Sequence, residues 1–218
     1  MVFFITFFSS PFSSPLPASG CEIKIQKRME NRKDLCYTTR NHRLKKGDEK
    51  LEKILIIGNA GAGKTTFAKK LAGKRSLPLI HLDKLYWQGQ WEPLSREEFD
   101  TALQAELEKP RWIIDGNFNR TLPHRLSYCD TVFYFDLPTI SCLWGITKRV
   151  FQNYGKTRDD MGGNCVERFD RQKAELYSHV LTFNKTHRKD YYQLLSQHPE
   201  INLIIFKNRR QVREYLQG

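Results

Sequence analysis

Five short apolar runs recur along the chain after residue 50, and each is followed by a stretch whose apolar residues return every three or four positions. The runs at about 53–57, 79–82, 111–114, 131–135 and 202–206 predict strands. The intervening periodicity predicts helices at about 64–73, 95–108, 140–153, 166–182 and 186–197, with a short one near 209–216. Start signals support several of them. Ser95 followed by Glu98 forms a capping box ahead of the stripe Phe99, Leu103, Leu107, and Pro138-Thr139 opens the next helix. Ile54 to Ile57 is apolar without interruption, as a strand buried on both faces requires. Alternation of such strands with helices predicts an α/β fold of three layers, a parallel sheet of about five strands covered by helices on both faces.

The first fifty residues break this pattern. Residues 1–20 are rich in Phe, Ser and Pro and carry no charge before Glu22. A signal peptide is opposed by the lack of a basic leading region and by an apolar run that ends at Phe8. Residues 22–50 are polar and aperiodic, so 1–50 is expected to be an extension without fixed structure, with Met29 offering a later start. Residues 51–218 are then expected to form one folded domain. No apolar stretch is long enough to span a membrane. Five scattered cysteines form neither a C-x-x-C pair nor a zinc spacing, so a reduced, cytoplasmic setting is expected. A monomer is the default expectation. The net charge of +12 suits either nucleic acid or polyphosphate, and does not separate them.

The chemistry starts where the first strand ends. Residues 58–65 read GNAGAGKT, meeting the spacing G-x-x-x-x-G-K-T with Gly58, Gly63, Lys64 and Thr65. Glycine lets backbone wrap closely around a polyanion, and successive N–H groups make a concave cradle for phosphate oxygens. Gly58, Asn59, Ala60, Gly61, Ala62 and Gly63 would supply that cradle, Lys64 would reach the β- and γ-phosphates, Thr65 would ligate Mg²⁺, and Thr66 would meet the α-phosphate. The rival dinucleotide pattern G-x-G-x-x-G fails at Ala60, and Lys64-Thr65 decides against it.

Ligands of open parallel sheets sit at the carboxyl ends of the strands. Asp83 falls at the end of the second run and could bond or deprotonate an acceptor hydroxyl, or merely cap the next helix. Asp115 ends the third run, which should lie beside the first, and suits a carboxylate on Mg²⁺ or on a metal-bound water. His81, on the same face as Asp83, is read as a satisfied core residue; Tyr86, Trp87 and Trp91 could stack on a planar base, close a pocket or pack this loop on the sheet, and packing is preferred. The stretch from Lys148 to Arg171 holds Lys148, Arg149, Lys156, Arg158, Arg168 and Arg171 between glycines, as an arginine-bearing lid would. Arg149 and Arg158 are its preferred phosphate contacts, with Arg188 further along a weaker one.

GNAGAGKTT, WIIDGNFNRTLP and VFYFDLP together resemble the nucleoside-monophosphate kinase group typified by adenylate kinase. HLDKLYW, KTRDDMGGNCVERFD and FNKTHR are similar to a subgroup described as DNA topology modulation proteins. The likeness runs from about residue 51 to the C-terminus. It implies the strand order 2-3-1-4-5, an acceptor region after the second strand and a lid at about 149–171. It also implies Asp115 on the magnesium side and Arg120 on an acceptor phosphate, although D-G-N-F-N-R here is one residue longer than the family's D-G-F-P-R. Arg149 would stand at the lid entry, Arg158 inside the lid, and the backbone around Lys207-Asn208 near the adenine.

The expected function is ATP- and Mg²⁺-dependent phosphoryl transfer to a small acceptor, with Lys64, Asp83, Arg149 and Arg158 catalytic. Two alternatives stand beside it: a nucleotide-dependent DNA-binding, topology-modulating protein with weak ATPase activity, and a nucleotide-binding scaffold without turnover. DNA is not the favoured partner, because no helix-turn-helix pattern is present and the basic residues of the core fall where ATP phosphates need them.

Overall fold

The computed structural model describes residues 51–87, 92–155 and 171–218. The expected extension 1–50, residues 156–170 of the expected lid (Arg158 among them) and Trp91 lie outside the described residues. Strands β1 (Lys53–Gly58), β2 (Leu79–His81), β3 (Trp112–Asp115), β4 (Thr131–Phe135) and β5 (Asn202–Phe206) form one sheet in the order β2-β3-β1-β4-β5. Every pairing is parallel. The α/β three-layer reading and the strand order therefore hold.

Strand β1 lies in the middle because both of its faces are apolar. Ile54 and Ile56 enter one core with Phe67, Phe133, Phe135 and Phe206, whereas Leu55 and Ile57 enter the other with Trp112, Ile114, Tyr134 and Tyr191. The first core is covered by α1 (Lys64–Arg75), α5 (Thr139–Asn153), Val180 of α6 (Arg171–Thr186) and α8 (Arg209–Gln217). The second is covered by α3 (Arg96–Leu107), α4 (Leu122–Leu126) and α7 (Arg188–Ser196). Phe67 of α1 meets four rings, those of Phe133, Phe135, Phe206 and Tyr215, at centroid separations of 4.9–5.9 Å. A phenylalanine buried this way typically costs about 3–5 kcal/mol when cut to alanine, which fixes α1, and with it the loop before it, to the sheet.

Two departures from expectation matter for the site. Strand β2 stops at His81, and a short helix α2 (Leu82–Tyr86) takes over, because Leu82 and Tyr86, one helical turn apart, are both buried. Asp83 thus sits in the first turn of a helix rather than at a strand end, and the residue flanking that helix is His81, not Asp83. The loop after β3 contains a short 3-10 turn (Asn119–Thr121) and α4, neither of which the apolar spacing shows. The capping box forms as expected, with Glu98 N–H donating to Ser95 Oγ at 3.2 Å and Ser95 N–H to Glu98 Oε2 at 3.0 Å. Among the described residues, no helix is long and apolar enough to cross a membrane.

Candidate active site

The loop 58–63 turns directly from β1 into α1. Gly63 occupies the capping position at φ 96°, no side chain caps the helix, and no acid stands in its first turn. Soluble helices ordinarily meet this need with Ser, Thr, Asp or Asn. Leaving it unmet keeps the first-turn N–H groups and the positive end of the helix for an anion. Three parts of the chain hold the loop. Gly58 N–H donates to Asn117 Oδ1 at 3.0 Å, Asn59 Nδ2 to the Val180 carbonyl at 3.0 Å, and Arg209 Nη2 to the carbonyls of Gly61 at 3.1 Å and Ser141 at 2.9 Å.

Helix α5 presses on the same loop. A Cβ on Gly61, at φ 75°, would lie 2.1 Å from the Cys142 carbonyl oxygen, and one on Gly145 would lie 2.0 Å from the Gly61 carbonyl oxygen. Both positions need glycine for lack of room, and Gly145 accepts the cost of a helix-interior glycine to bring two backbones together. Gly145→Ala is expected to destabilise the chain by about 1–3 kcal/mol through overpacking and to weaken ATP binding with it. Thermal unfolding and an ATP titration check this, and a variant unchanged in both would show that α5 does not support the loop.

The Lys64 ammonium donates to the carbonyls of Gly58 at 2.7 Å and Asn59 at 3.0 Å, so it lies along the loop it follows. Burial lowers its pKa, and the carboxylates of Asp115 and Asp83 act in the opposite sense, while the charge of Arg149 lowers it further. The charges of Asp115, Asp83 and Arg149 thus all act on the Lys64 ammonium. Thr65 Oγ1 donates to Asp115 Oδ2 at 2.7 Å, and the parallel pairing of β3 with β1 puts Asp115 opposite Ile56. His81 Nδ1 lies 3.3 Å from the same oxygen. Asp115 is 5% exposed, and its other oxygen, Oδ1, is buried with no hydrogen-bond partner among the described residues.

That orphaned oxygen tests the expected Mg²⁺. A buried carboxylate oxygen left unpaired is costly unless something cationic or a water meets it. Together with the Thr65 hydroxyl it offers the hard oxygen donors that Mg²⁺ takes. No group of three or more His, Cys, Asp or Glu side chains gathers among the described residues. This agrees with an ion that draws most of its ligands from phosphate and water rather than from a protein cage. The residues fit the ion.

The remaining expected site residues separate. Arg120 is held by Asp100 of α3 through two bonds, Nη1 to Oδ2 at 2.8 Å and Nη2 to Oδ1 at 2.6 Å, so a role on an acceptor phosphate requires this exposed pair to open. Thr66 is exposed in the first turn of α1, next to Thr65. Arg188 donates from Nε and Nη2 to Asp136 Oδ2 at 3.2 and 2.9 Å. Lys207 joins it there through its ammonium, and the Tyr192 hydroxyl donates to the same oxygen at 2.7 Å. Tyr86 and Trp87 are buried and meet edge to face at 4.8 Å, in keeping with packing.

Four contributors escape sequence reasoning. Arg125 is fully buried and donates to the carbonyls of Gly116, Asn117 and Phe118 and to Thr121 Oγ1, shaping the loop whose Asn117 holds Gly58. Asp136 gathers the ends of β4 and β5 onto α7. Nothing in the pattern singles out these two, and Arg209 looks no different from its neighbour Arg210. Gly145 does leave a signal, a glycine inside an otherwise strong helical stretch.

No family model and no curated protein matches the chain. Solved structures do match it. A shikimate kinase from Bacteroides thetaiotaomicron is 18% identical, over 75% of this chain and 93% of its own, with a TM-score of 0.45. A shikimate kinase from Acinetobacter baumannii in complex with shikimate is 16% identical, over 78% of this chain and 90% of its own, with a TM-score of 0.48. Similarity at this level carries no residue roles across. The narrower likeness to DNA topology modulation proteins is not supported by these matches.

Proposed function

We propose that the chain transfers the γ-phosphoryl group of ATP, with Mg²⁺, to a small hydroxyl-bearing acceptor. The observation that carries this reading is the meeting of Lys64, Thr65 and Asp115 at an uncapped helix start, with one Asp115 oxygen buried and unpaired. The loop amides and Lys64 bind the phosphates and offset the charge that spreads over the transferring group. Thr65 and Asp115 would hold the Mg²⁺, which would supply positive charge to the phosphates. Arg149, whose charge acts on Lys64, would add a second cation on the same group.

Asp83, in the first turn of α2, is assigned to the acceptor in this reading. The acceptor oxygen attacks the γ-phosphorus, its proton passes to the Asp83 carboxylate, and the bond to the departing ADP oxygen breaks. Asp83→Asn is expected to lower turnover by about 10²–10⁴-fold, the range for a lost general base, with ATP affinity little changed. Equal loss of turnover and affinity would assign Asp83 a structural role instead.

A panel of acceptors with ATP and Mg²⁺, scored by ADP release against a blank without acceptor, tests the reading. Nucleosides, nucleoside monophosphates, sugars and hydroxy acids, shikimate included, cover the classes. Stimulation by one class is the expected result. Comparison of phosphorylated with unphosphorylated members also reports whether Arg120 leaves Asp100 to bind an acceptor phosphate. A rate equal to the blank throughout would favour slow ATP hydrolysis or a scaffold.

A further inference from the structure

The parallel register of β2 with β3 sets His81 opposite Asp115, so the two side chains stand on one face of the sheet at neighbouring strand ends. His81 is also the residue before α2, yet its side chain does not cap that helix. The ring turns to Asp115 instead, with Nδ1 3.3 Å from Oδ2. Both side chains are largely shut off from solvent, at 11% and 6% exposure. An ionised carboxylate only accepts, so Nδ1 carries the proton of this bond.

Two donors thus converge on Oδ2 from two elements, the Thr65 hydroxyl of α1 at 2.7 Å and the imidazole at the end of β2. Oδ1 is buried and has none among the described residues. This division of labour matters, because the terminal torsion of an aspartate is broad and twofold. One donor on one oxygen leaves the carboxylate free to swing about that bond, and a second from another direction fixes its plane. Lys64 is not that second donor, since its ammonium bonds to the carbonyls of Gly58 and Asn59. Without His81 the orphaned oxygen has no set direction. Mg²⁺ is exacting on this point, demanding near-octahedral oxygens at about 2.0–2.1 Å.

We propose that His81 is a positioning residue whose Nδ1–H pins Oδ2 of Asp115 and so aims Oδ1 at the divalent cation that accompanies the nucleotide. The proposal rests on the phosphotransfer reading for the cation itself, and adds the residue that orients its protein ligand. Groups that hydrogen-bond a metal's ligands matter nearly as much as the ligands, and their loss typically weakens metal binding by about 10–100-fold. Among the described residues the His81 ring bonds to Asp115 alone, and not to the loop 58–63 or Lys64. Its effect therefore falls on the metal and spares the nucleotide bound without one.

Calorimetric titration of the full-length chain with ATP, once with a chelator and once with Mg²⁺, tests it. The ratio of the two affinities isolates the cation, and the charge that Mg²⁺ removes from ATP itself is common to every variant. His81→Phe keeps a ring and loses the donor. It should shrink the ratio by about 10–100-fold, or to one where the native ratio is smaller, with the metal-free affinity retained. His81→Asn returns an N–H near the place of Nδ1 and should restore most of the ratio. His81→Ala takes the place of the phenylalanine variant if circular dichroism shows that variant unfolded. A native ratio in the variant without a donor would overturn the proposal. So would an asparagine variant no better than it, or an equal fall in metal-free affinity, which marks a structural role. Failure of the underlying reading looks different: the native chain would bind ATP no better with Mg²⁺, or not at all, and the inference would fall with it.

Discussion

Lys64→Ala should reduce ADP formation in the presence of the productive acceptor by about 10²–10³-fold, the usual cost of removing one charge-stabilising donor from a transition state. The fold should tolerate the change. The ammonium makes its bonds to two carbonyls of its own loop, and one of them, that of Asn59, also accepts from Ala62 N–H at 3.3 Å. Its stability contribution is therefore about 1 kcal/mol, as for an ordinary net hydrogen bond. The measurement is steady-state turnover beside thermal unfolding. Lys64→Arg serves as a control that keeps the charge and changes its reach. Unaltered product formation in the alanine variant would remove Lys64 from the mechanism.

The largest effect on stability is expected at Arg125→Leu. The guanidinium is fully buried, and burial pulls its pKa down to about 10. It is matched by the carbonyls of Gly116, Asn117 and Phe118 and by Thr121 Oγ1. Leucine fills part of the volume and leaves these acceptors without donors in a closed space. Each such loss costs about 1–3 kcal/mol, so with partial relaxation the sum should fall at roughly 3–5 kcal/mol. ATP affinity should fall with it, because the loop that Arg125 shapes presents Asn117 Oδ1 to Gly58 N–H. Urea unfolding and ATP titration read the two effects. A loss below about 1 kcal/mol, within the range of an ordinary surface change, would mean that the loop supports itself.

The contrast between these two residues shows how far sequence reasoning reaches. Lys64 stands out because the phosphate chemistry fixes both its neighbours and their spacing. The sheet is equally open to reading, since strands buried on both faces must be apolar throughout, as 54–57 are. Arg125 acts through carbonyl groups, which every residue carries, so no side-chain pattern marks its partners. Asp83 was placed within one residue of its true setting and still fell on the wrong element. A single buried residue, Leu82, served equally well as the end of a strand or the start of a helix, and only the burial of Tyr86 one turn on decides between them. His81, read as a satisfied core residue, finds its partner in the carboxylate proposed for Mg²⁺, with Nδ1 3.3 Å from Asp115 Oδ2.

The three ties on the loop have a temporal side. Gly58 waits for Asn117, Asn59 for Val180, and Gly61 for Arg209, which follows it by 148 positions. During synthesis Gly61 therefore precedes its brace Arg209 by 148 residues, and until that segment emerges the loop lacks this tie. On the proposed function, affinity for ATP is therefore expected to develop fully when β5 and α8 dock on the loop.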